Sequence, residues 1–344
     1  MFVDTEVLGV RALSVSYDDT PALVDVHLDV GAGQVLALLG PSGSGKSTLL
    51  HTVAGFHSPS AGEVWLEGRK VASPELAIPP ERRNVAMVFQ NYALWPHLTA
   101  LDTVAYPIRR RGVRRAEARR EAEQILARLR VRDLAHRRPA ELSGGEQQRV
   151  GLGRALARDA ALYLFDEPTA HLDTHVRGVF LDELMTRLRD TGAAALYATH
   201  DAEEALGAAD RVALLTAGRV VQVGTPEEVY HRPVDMWAAR LTGPASVLET
   251  PLGDVLVRPE WARLDGEGPE EGPGKGPEEG PEHTATIMDV HFRGPHSDYV
   301  LDTEGGRLLL RELGPPRHAP GARVGWRLCE SWPVQPSSRE AGPA

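Results

Sequence analysis

The densest run of chemistry-bearing residues in the chain is Gly40-Pro41-Ser42-Gly43-Ser44-Gly45-Lys46-Ser47-Thr48. Its letters fit G-x-x-x-x-G-K-[ST], a pattern in which glycines let successive backbone N–H groups point inward while a following helix offers its positive end. Such a loop holds a polyphosphate through donors that need no side-chain ordering. Lys46 is placed to reach the outer phosphates and Ser47 to ligate Mg²⁺. A second group closes the apolar run Leu162-Tyr163-Leu164-Phe165 with two adjacent carboxylates, Asp166 and Glu167. An acid at the end of a buried strand beside a phosphate loop is where Mg²⁺ is held, which is the role assigned to Asp166. Alternation along the strand sends Glu167 the other way. That makes Glu167 the candidate base or water-positioner for attack on a γ-phosphate. A third group, Ser143-Gly144-Gly145-Glu146-Gln147, has Ser and Glu at the spacing of a reciprocal helix cap. Small residues at a helix start suit a second anion site equally well. The residues alone leave these two readings level.

These groups need elements to carry them. Runs rich in Val and Leu at 8–16, 22–30 and 34–39, separated by turn clusters, are expected strands and the opening of a parallel-sheet core. The phosphate loop directly follows the third run and directly precedes a helical one. From 109 to 132 the apolar positions Ala118, Ala122, Ile125, Leu126 and Leu129 recur at helical spacing. Strand-like runs return at 160–165 and 193–199, each followed by helical sequence, the alternation of an α/β domain. Thr225, Pro226 and Glu228 read as a helix start, and a second short helix follows from Asp235. After Gly243-Pro244 the texture becomes short alternating runs at 255–257, 284–292, 299–302, 307–311 and 323–328, which is all-β spacing. The domain boundary is expected there.

The chain has 344 residues, 42% hydrophobic and 25% charged, so a wholly disordered or fibrous protein is excluded and two domains are expected. No apolar run approaches the roughly 18 residues of a membrane-spanning helix. Asp4 and Glu6 stand where an export signal would be basic and then apolar, and the one cysteine, Cys329, excludes an internal disulfide; both point to the cytosol. The net charge of −10 is the wrong sign for a nucleic-acid binder. Seven acids against Lys275 between Asp265 and Glu282 put −6 of that charge in a Gly-Pro-Glu segment with nothing to bury, an expected solvated spacer. The stretch 109–120 carries seven arginines, which an exposed helix face explains.

The phosphate loop, Leu142-Ser143-Gly144-Gly145-Glu146-Gln147-Gln148-Arg149-Val150 and Asp166-Glu167-Pro168 resemble, in the same order, the three defining motifs of ATP-binding cassette (ABC) ATPases. Four further residues agree. Tyr17 is similar to the aromatic that stacks on adenine, and Gln90 resembles the glutamine touching Mg²⁺ and the attacking water. Asp173 resembles the acid of the loop after the carboxylate strand, and His200 resembles the histidine contacting the γ-phosphate. The tail, with Val257-Arg258-Pro259-Glu260 at its opening, looks like the transport-associated oligonucleotide-fold-like (TOBE) barrel of importer ATPases. Departures are small: Glu146 stands where Gln is frequent, Phe165 where Leu is, and Ala170-His171 replaces a small polar pair.

The resemblance implies an α/β P-loop NTPase core at 1–243, with antiparallel β and helical subdomains, the latter at about 91–158. An all-β OB-like TOBE domain then occupies 244–344, interrupted by the acidic loop 265–282. It implies ATP and Mg²⁺ as ligands, with Glu167, His200 and Gln90 catalytic and with Ser47, Gln90 and Asp166 on the metal. It also implies a head-to-tail dimer of this chain, or of this chain with a related subunit, in which Ser143 to Gly145 of one copy, with Glu146 and Gln147 beside them, close over ATP held by the other. The segment around Gln90, with Tyr92 to His97, resembles the surface that receives a permease's coupling helix. Implied partners are therefore membrane permease subunits and, indirectly, a periplasmic or lipid-anchored solute-binding protein, with no nucleic acid. The implied place is the cytoplasmic face of the membrane. The stretches 242–248 and 292–296 look like the iron, spermidine and putrescine branch, so ferric iron is the expected solute, with polyamine, phosphonate or sugar as alternatives. A soluble, non-transport ABC ATPase is less compatible with one cassette per chain and only 97 positions from Lys46 to Ser143.

Overall fold

The computed structural model describes residues 6–18, 20–89, 92–169, 177–178, 181, 184–186, 188, 191–251, 253–265 and 283–334. The chain divides into two compact units, Met1–Pro226 and Glu227–Ala344. No helix among the described residues is long and apolar enough to cross a membrane.

In chain order the first unit contains β1 (Glu6–Tyr17), β2 (Thr20–Gly31), β3 (Val35–Leu39), α1 (Lys46–Ala54), β4 (Ala61–Leu66), β5 (Arg69–Ser73), β6 (Leu76–Ala77) and β7 (Val85–Val88). There follow α2 (Ala100–Arg110), α3 (Arg115–Arg128), α4 (Gly144–Leu156), β8 (Leu162–Asp166), β9 (Ala194–Thr199), α5 (Ala202–Ala208), β10 (Arg211–Thr216) and β11 (Arg219–Gly224). The central sheet runs β11-β10-β3-β9-β8-β7 and is parallel except for the β10–β11 pair. Every residue of β3, β8 and β9 is buried, as a parallel sheet covered on both faces requires.

Strand alternation divides this burial between two cores. Tyr163 and Phe165 pack with residues of α2, α3 and α4. Leu162 and Leu164 pack with residues of β1, β2 and α1. The first two runs expected in the parallel sheet lie elsewhere: β1 and β2 pair antiparallel in a separate sheet ordered β2-β1-β4-β5-β6. Their connection is too short for the crossover that parallel neighbours need, so only a hairpin is open to them. The helix expected over 109–132 is also shorter, because α2 occupies 100–110 and α3 starts at Arg115.

The second unit holds α6 (Pro226–His231), α7 (Met236–Thr242), β12 (Ser246–Thr250), β13 (Gly253–Val257), β14 (Ala262–Leu264), β15 (His283–Phe292), β16 (His296–Thr303), β17 (Gly306–Leu313), β18 (Arg323–Leu328) and β19 (Trp332–Pro333). Its sheets, β12-β13-β19 and β14-β18-β15-β16-β17, are antiparallel throughout and barrel-like. The compact unit begins before the expected boundary at 243–244, and Arg258 supplies a reason. Its guanidinium is fully buried and donates to the carbonyls of Tyr230, Ala239, Gly243 and Pro244 and to Thr242 Oγ1. The two short helices are thereby tied to the β sheets. Residues 266–282, nearly all of the acidic segment, lie outside the described residues.

Candidate nucleotide site

Parallel register brings two of the three sequence groups, the phosphate loop and the paired carboxylates, to one edge together with His200; Ser143 to Gln147 are not among the residues joined there. Leu39, the last residue of β3, pairs with Thr199, and Asp166, the last of β8, pairs with Ala198. The phosphate loop, the two carboxylates and His200 thus emerge side by side at the carboxyl ends of adjacent strands, where open α/β sheets place their ligands.

The loop turns into α1 through Gly45, whose φ of 105° lies in the left-handed region. A Cβ there would come within 2.8 Å of Ala22 O. Lys46 opens α1 and is buried, its Nζ donating to Gly40 O at 2.7 Å and Pro41 O at 3.0 Å. Burial pulls the Lys46 ammonium below its ordinary value, against the opposing pull of Glu167 and Asp166. Nζ stands 3.9 Å from Glu167 Oε1.

Ser47 Oγ donates to Asp166 Oδ1 at 2.8 Å. Burial lifts the Asp166 carboxyl above its ordinary value, with Ser47 and His51 acting the other way. A hydroxyl and one carboxylate are hard oxygen donors and fit Mg²⁺, which is held by one or two carboxylates together with substrate phosphates and water. No group of three or more His, Cys, Asp or Glu able to hold a metal occurs among the described residues.

Glu167 leaves the strand with φ of 46°, and its N–H donates to Ala198 O at 3.0 Å. The two acids do take different partners, but strand alternation is not the cause. The left-handed residue after the strand end turns Glu167 toward Lys46 and toward His200 Nδ1, 3.3 Å from its Oε2.

Ser143 to Gln147 behave as a helix cap. Ser143 N–H donates to Glu146 Oε2 at 2.7 Å and Glu146 N–H to Ser143 Oγ at 3.4 Å. The Ser143 backbone bond holds the Glu146 carboxyl below its usual range. Gln147 Nε2 donates to Pro139 O and Leu142 O. Among the described residues no hydrogen bond or ion pair joins this cap to Lys46, Glu167 or His200 of the same chain. A Cβ at Gly144 would meet nothing within 4 Å.

Tyr17 is exposed and sits edge-on to His57, with ring centroids 5.2 Å apart. Sequence reasoning missed the aromatic cluster beyond it, in which His51 lies against His57, Phe56 and Phe89 and 3.8 Å from Asp166 Oδ2. Its signal was present: Ser47 and His51 are four residues apart and share one face of α1. Gln90, Asp173, Ala170 and His171 lie outside the described residues. Beyond Gln90, Trp95 and Tyr106 line a cavity of about 880 Å³ together with Phe56, Met87, Arg110 and Arg154.

The ABC transporter family profile matches residues 23–170 and the TOBE domain profile residues 255–330. The chain is 42% identical over 249 residues to an sn-glycerol-3-phosphate import ATP-binding protein of Rhizobium johnstonii, covering 72% of this chain. It is 39% identical over 248 residues to a spermidine/putrescine import ATP-binding protein of Thermotoga maritima, again covering 72% of this chain. The match spans 66% of the length of each relative. Neither name mentions iron, and the expectation of ferric iron finds no support there. A solved ATP-binding cassette, dimeric in a post-hydrolysis state with ADP and Pi, superposes with a TM-score of 0.59 at 30% identity, covering 64% of this chain and 98% of that one. With nearly all of that cassette matched and a TOBE domain beyond it, the chain belongs to the ATP-binding cassette transporter family.

Proposed function

We propose that the chain is the ATP-hydrolysing subunit of an importer, binding ATP at the edge of the parallel sheet and acting on a membrane permease from the cytoplasmic face. The observation that carries the reading is the convergence of Lys46, Ser47–Asp166 and Glu167–His200 from three different segments onto one strand edge. The backbone N–H groups of 43–48 cradle the phosphates, and Lys46 holds the outer ones. Tyr17 offers its ring to adenine. Mg²⁺, when bound, neutralises charge on the β- and γ-phosphate oxygens, and Ser47 and Asp166 would hold it together with Gln90. Water attacks the γ-phosphorus as the bond to the bridging oxygen breaks. Glu167 accepts the water's proton, and His200 orients Glu167 and the γ-phosphate.

The cap at Ser143 serves a second copy, or a related subunit, closing over its ATP with Asp173 in the contact. Among the described residues none lies within 4 Å of a Cβ placed at Gly144, which leaves the helix start open to a partner's phosphate. The cavity beside Trp95 and Tyr106 receives the permease, and solute selection rests with the permease and its solute-binding protein. The transported solute is an organic one, as the names of the relatives suggest.

Phosphate release by purified chain tests the hydrolytic assignment. Glu167→Gln is expected to lower turnover on the order of 10²–10⁴-fold while ATP binding persists; equal rates would defeat it. Gly144→Ala tests closure in trans. Alanine favours a helix over glycine by about 1 kcal/mol, so the variant should melt no lower than wild type yet hydrolyse more slowly. Reconstituted transporter assayed with glycerol 3-phosphate, spermidine and ferric ion tests the solute; stimulation by ferric ion alone would overturn the organic assignment.

A further inference from the structure

Glu204 takes no part in the chemistry described above, yet it is among the most heavily bonded buried groups of the first unit. It lies on α5, 5% exposed. Oε1 accepts from Thr169 Oγ1 at 2.5 Å and stands 3.3 Å from Arg177 Nε. Oε2 accepts from Thr199 Oγ1 at 2.8 Å and Tyr197 OH at 3.0 Å. Arg177 also donates to Asp201 Oδ2 at 2.7 Å. A carboxylate has about four lone-pair sites, and here three hydroxyls donate to them while the Arg177 guanidinium stands alongside as an ion pair. Burial pushes the Tyr197 phenol well above its ordinary value, with Glu204 adding to the rise, so this donor keeps its proton.

The origin of the partners matters more than their number. Thr169 follows Glu167 by two residues in the turn leaving β8. Thr199 immediately precedes His200 at the end of β9. Arg177 comes from the helical residues between those strands, and Asp201 caps α5 by accepting from the N–H groups of Glu203 and Glu204. Glu204 therefore joins the turn that carries Glu167 to the strand end that carries His200. A polar cavity of about 60 Å³ is lined by Glu167, Thr169, Thr199, His200 and Glu204, among others. Glu167 has a left-handed backbone, a conformation that costs about 1–3 kcal/mol and persists only where the surroundings over-determine it. A carboxylate buried for packing alone would be a poor choice, since its desolvation has to be offset bond by bond.

We infer that Glu204 is a positioning residue for ATP hydrolysis, holding the Glu167–His200 pair in register by bonding to the chain on either side of it. This rests on the hydrolytic reading of Glu167 and His200.

The full chain is assayed as wild type, Glu204→Gln, Thr169→Val and Glu167→Gln, for phosphate release and ATP binding. Glu204→Gln keeps the shape but places an NH₂ where a hydroxyl donated. Its kcat should fall on the order of 10–100-fold, with KM for ATP and ATP affinity within about twofold, because the phosphate loop receives no bond from Glu204. The histidine-ring NMR signal of His200, assigned by its loss in His200→Asn, should move in Glu204→Gln. Thr169→Val removes the bond to Glu204 and the longer one to Tyr197 OH, leaves the carboxylate in place, and should lower kcat several-fold with KM again unchanged. It decides the matter if Glu204→Gln does not fold. Wild-type kcat in either folded variant, or a loss shared equally with ATP binding, overturns the inference. Should Glu167→Gln turn over like wild type, the hydrolytic reading itself fails; should it be inactive while the other two variants are unaffected, only the role of Glu204 fails.

Discussion

Lys46 and Arg258 are both buried cations whose hydrogens go chiefly to backbone carbonyls, and they differ in what else is near. Lys46 shares its site with two carboxylates of unlike surroundings: Asp166, raised by burial and bonded to Ser47, and Glu167, paired to His200. Arg258 has the carbonyls of α6, α7 and the segment after them, Thr242 Oγ1, and the Tyr230 ring 4.1 Å from its Cζ. Burial pulls its guanidinium down and pushes the Tyr230 phenol up to about 12. Burial of charge therefore does not mark a site by itself. The proposed nucleotide edge differs in that titratable groups arrive from separate segments with different partners, whereas Arg258 fastens two short helices within its own unit.

That contrast can be tested. Lys46→Met should lower kcat/KM on the order of 10²–10³-fold, as loss of a preorganised charge donor does, with little change in the unfolding midpoint. Unfolding by denaturant and phosphate release on the same samples separate the two effects. Arg258→Ala should do the reverse for stability, leaving several carbonyls buried and unmet at a cost of about 3 kcal/mol. Arg258→Lys should recover little, because a point ammonium cannot reproduce a planar fork bonded to five acceptors. A full recovery would mean that charge rather than geometry holds the helices.

The smallest effect concerns Asp298, which the Arg311 guanidinium holds below the usual carboxylate range. A depressed folded-state value stabilises above the unfolded pKa and is lost as pH falls through the folded one. The stability gap between wild type and Asp298→Asn should thus be full at neutral pH and should shrink below about pH 4. A gap independent of pH would show that shape, not charge, is what Asp298 contributes.

Much of the first unit was legible in residue order. Apolar runs closing on glycine or acid marked β3 and β8, and Ser143 with Glu146 marked the start of α4, because these signals depend on neighbours a few positions apart. The antiparallel pairing of β1 with β2 was missed, since burial patterns report that a strand exists and not which sheet it joins. Glu204 was illegible for a related reason. Asp201 and Glu204 have the spacing of a reciprocal cap, and only the arrival of Thr169, Tyr197 and Arg177 turns the second acid inward.

Local chemistry written in order along the chain determined the phosphate loop, its lysine and serine, the paired acids and the capped glycines, because glycine conformations, helix starts and strand ends are decided within a few residues. Tertiary structure decided that Asp166 faces Ser47, that Glu167 turns to Lys46 and His200, and that Glu204 bonds on both sides of that pair. Apart from the bonds of Glu204 to nearby Thr199 and Tyr197, those relations cross tens to more than a hundred positions of sequence. They exist because parallel strands bring their carboxyl ends to one edge, a register that only long-range packing can set.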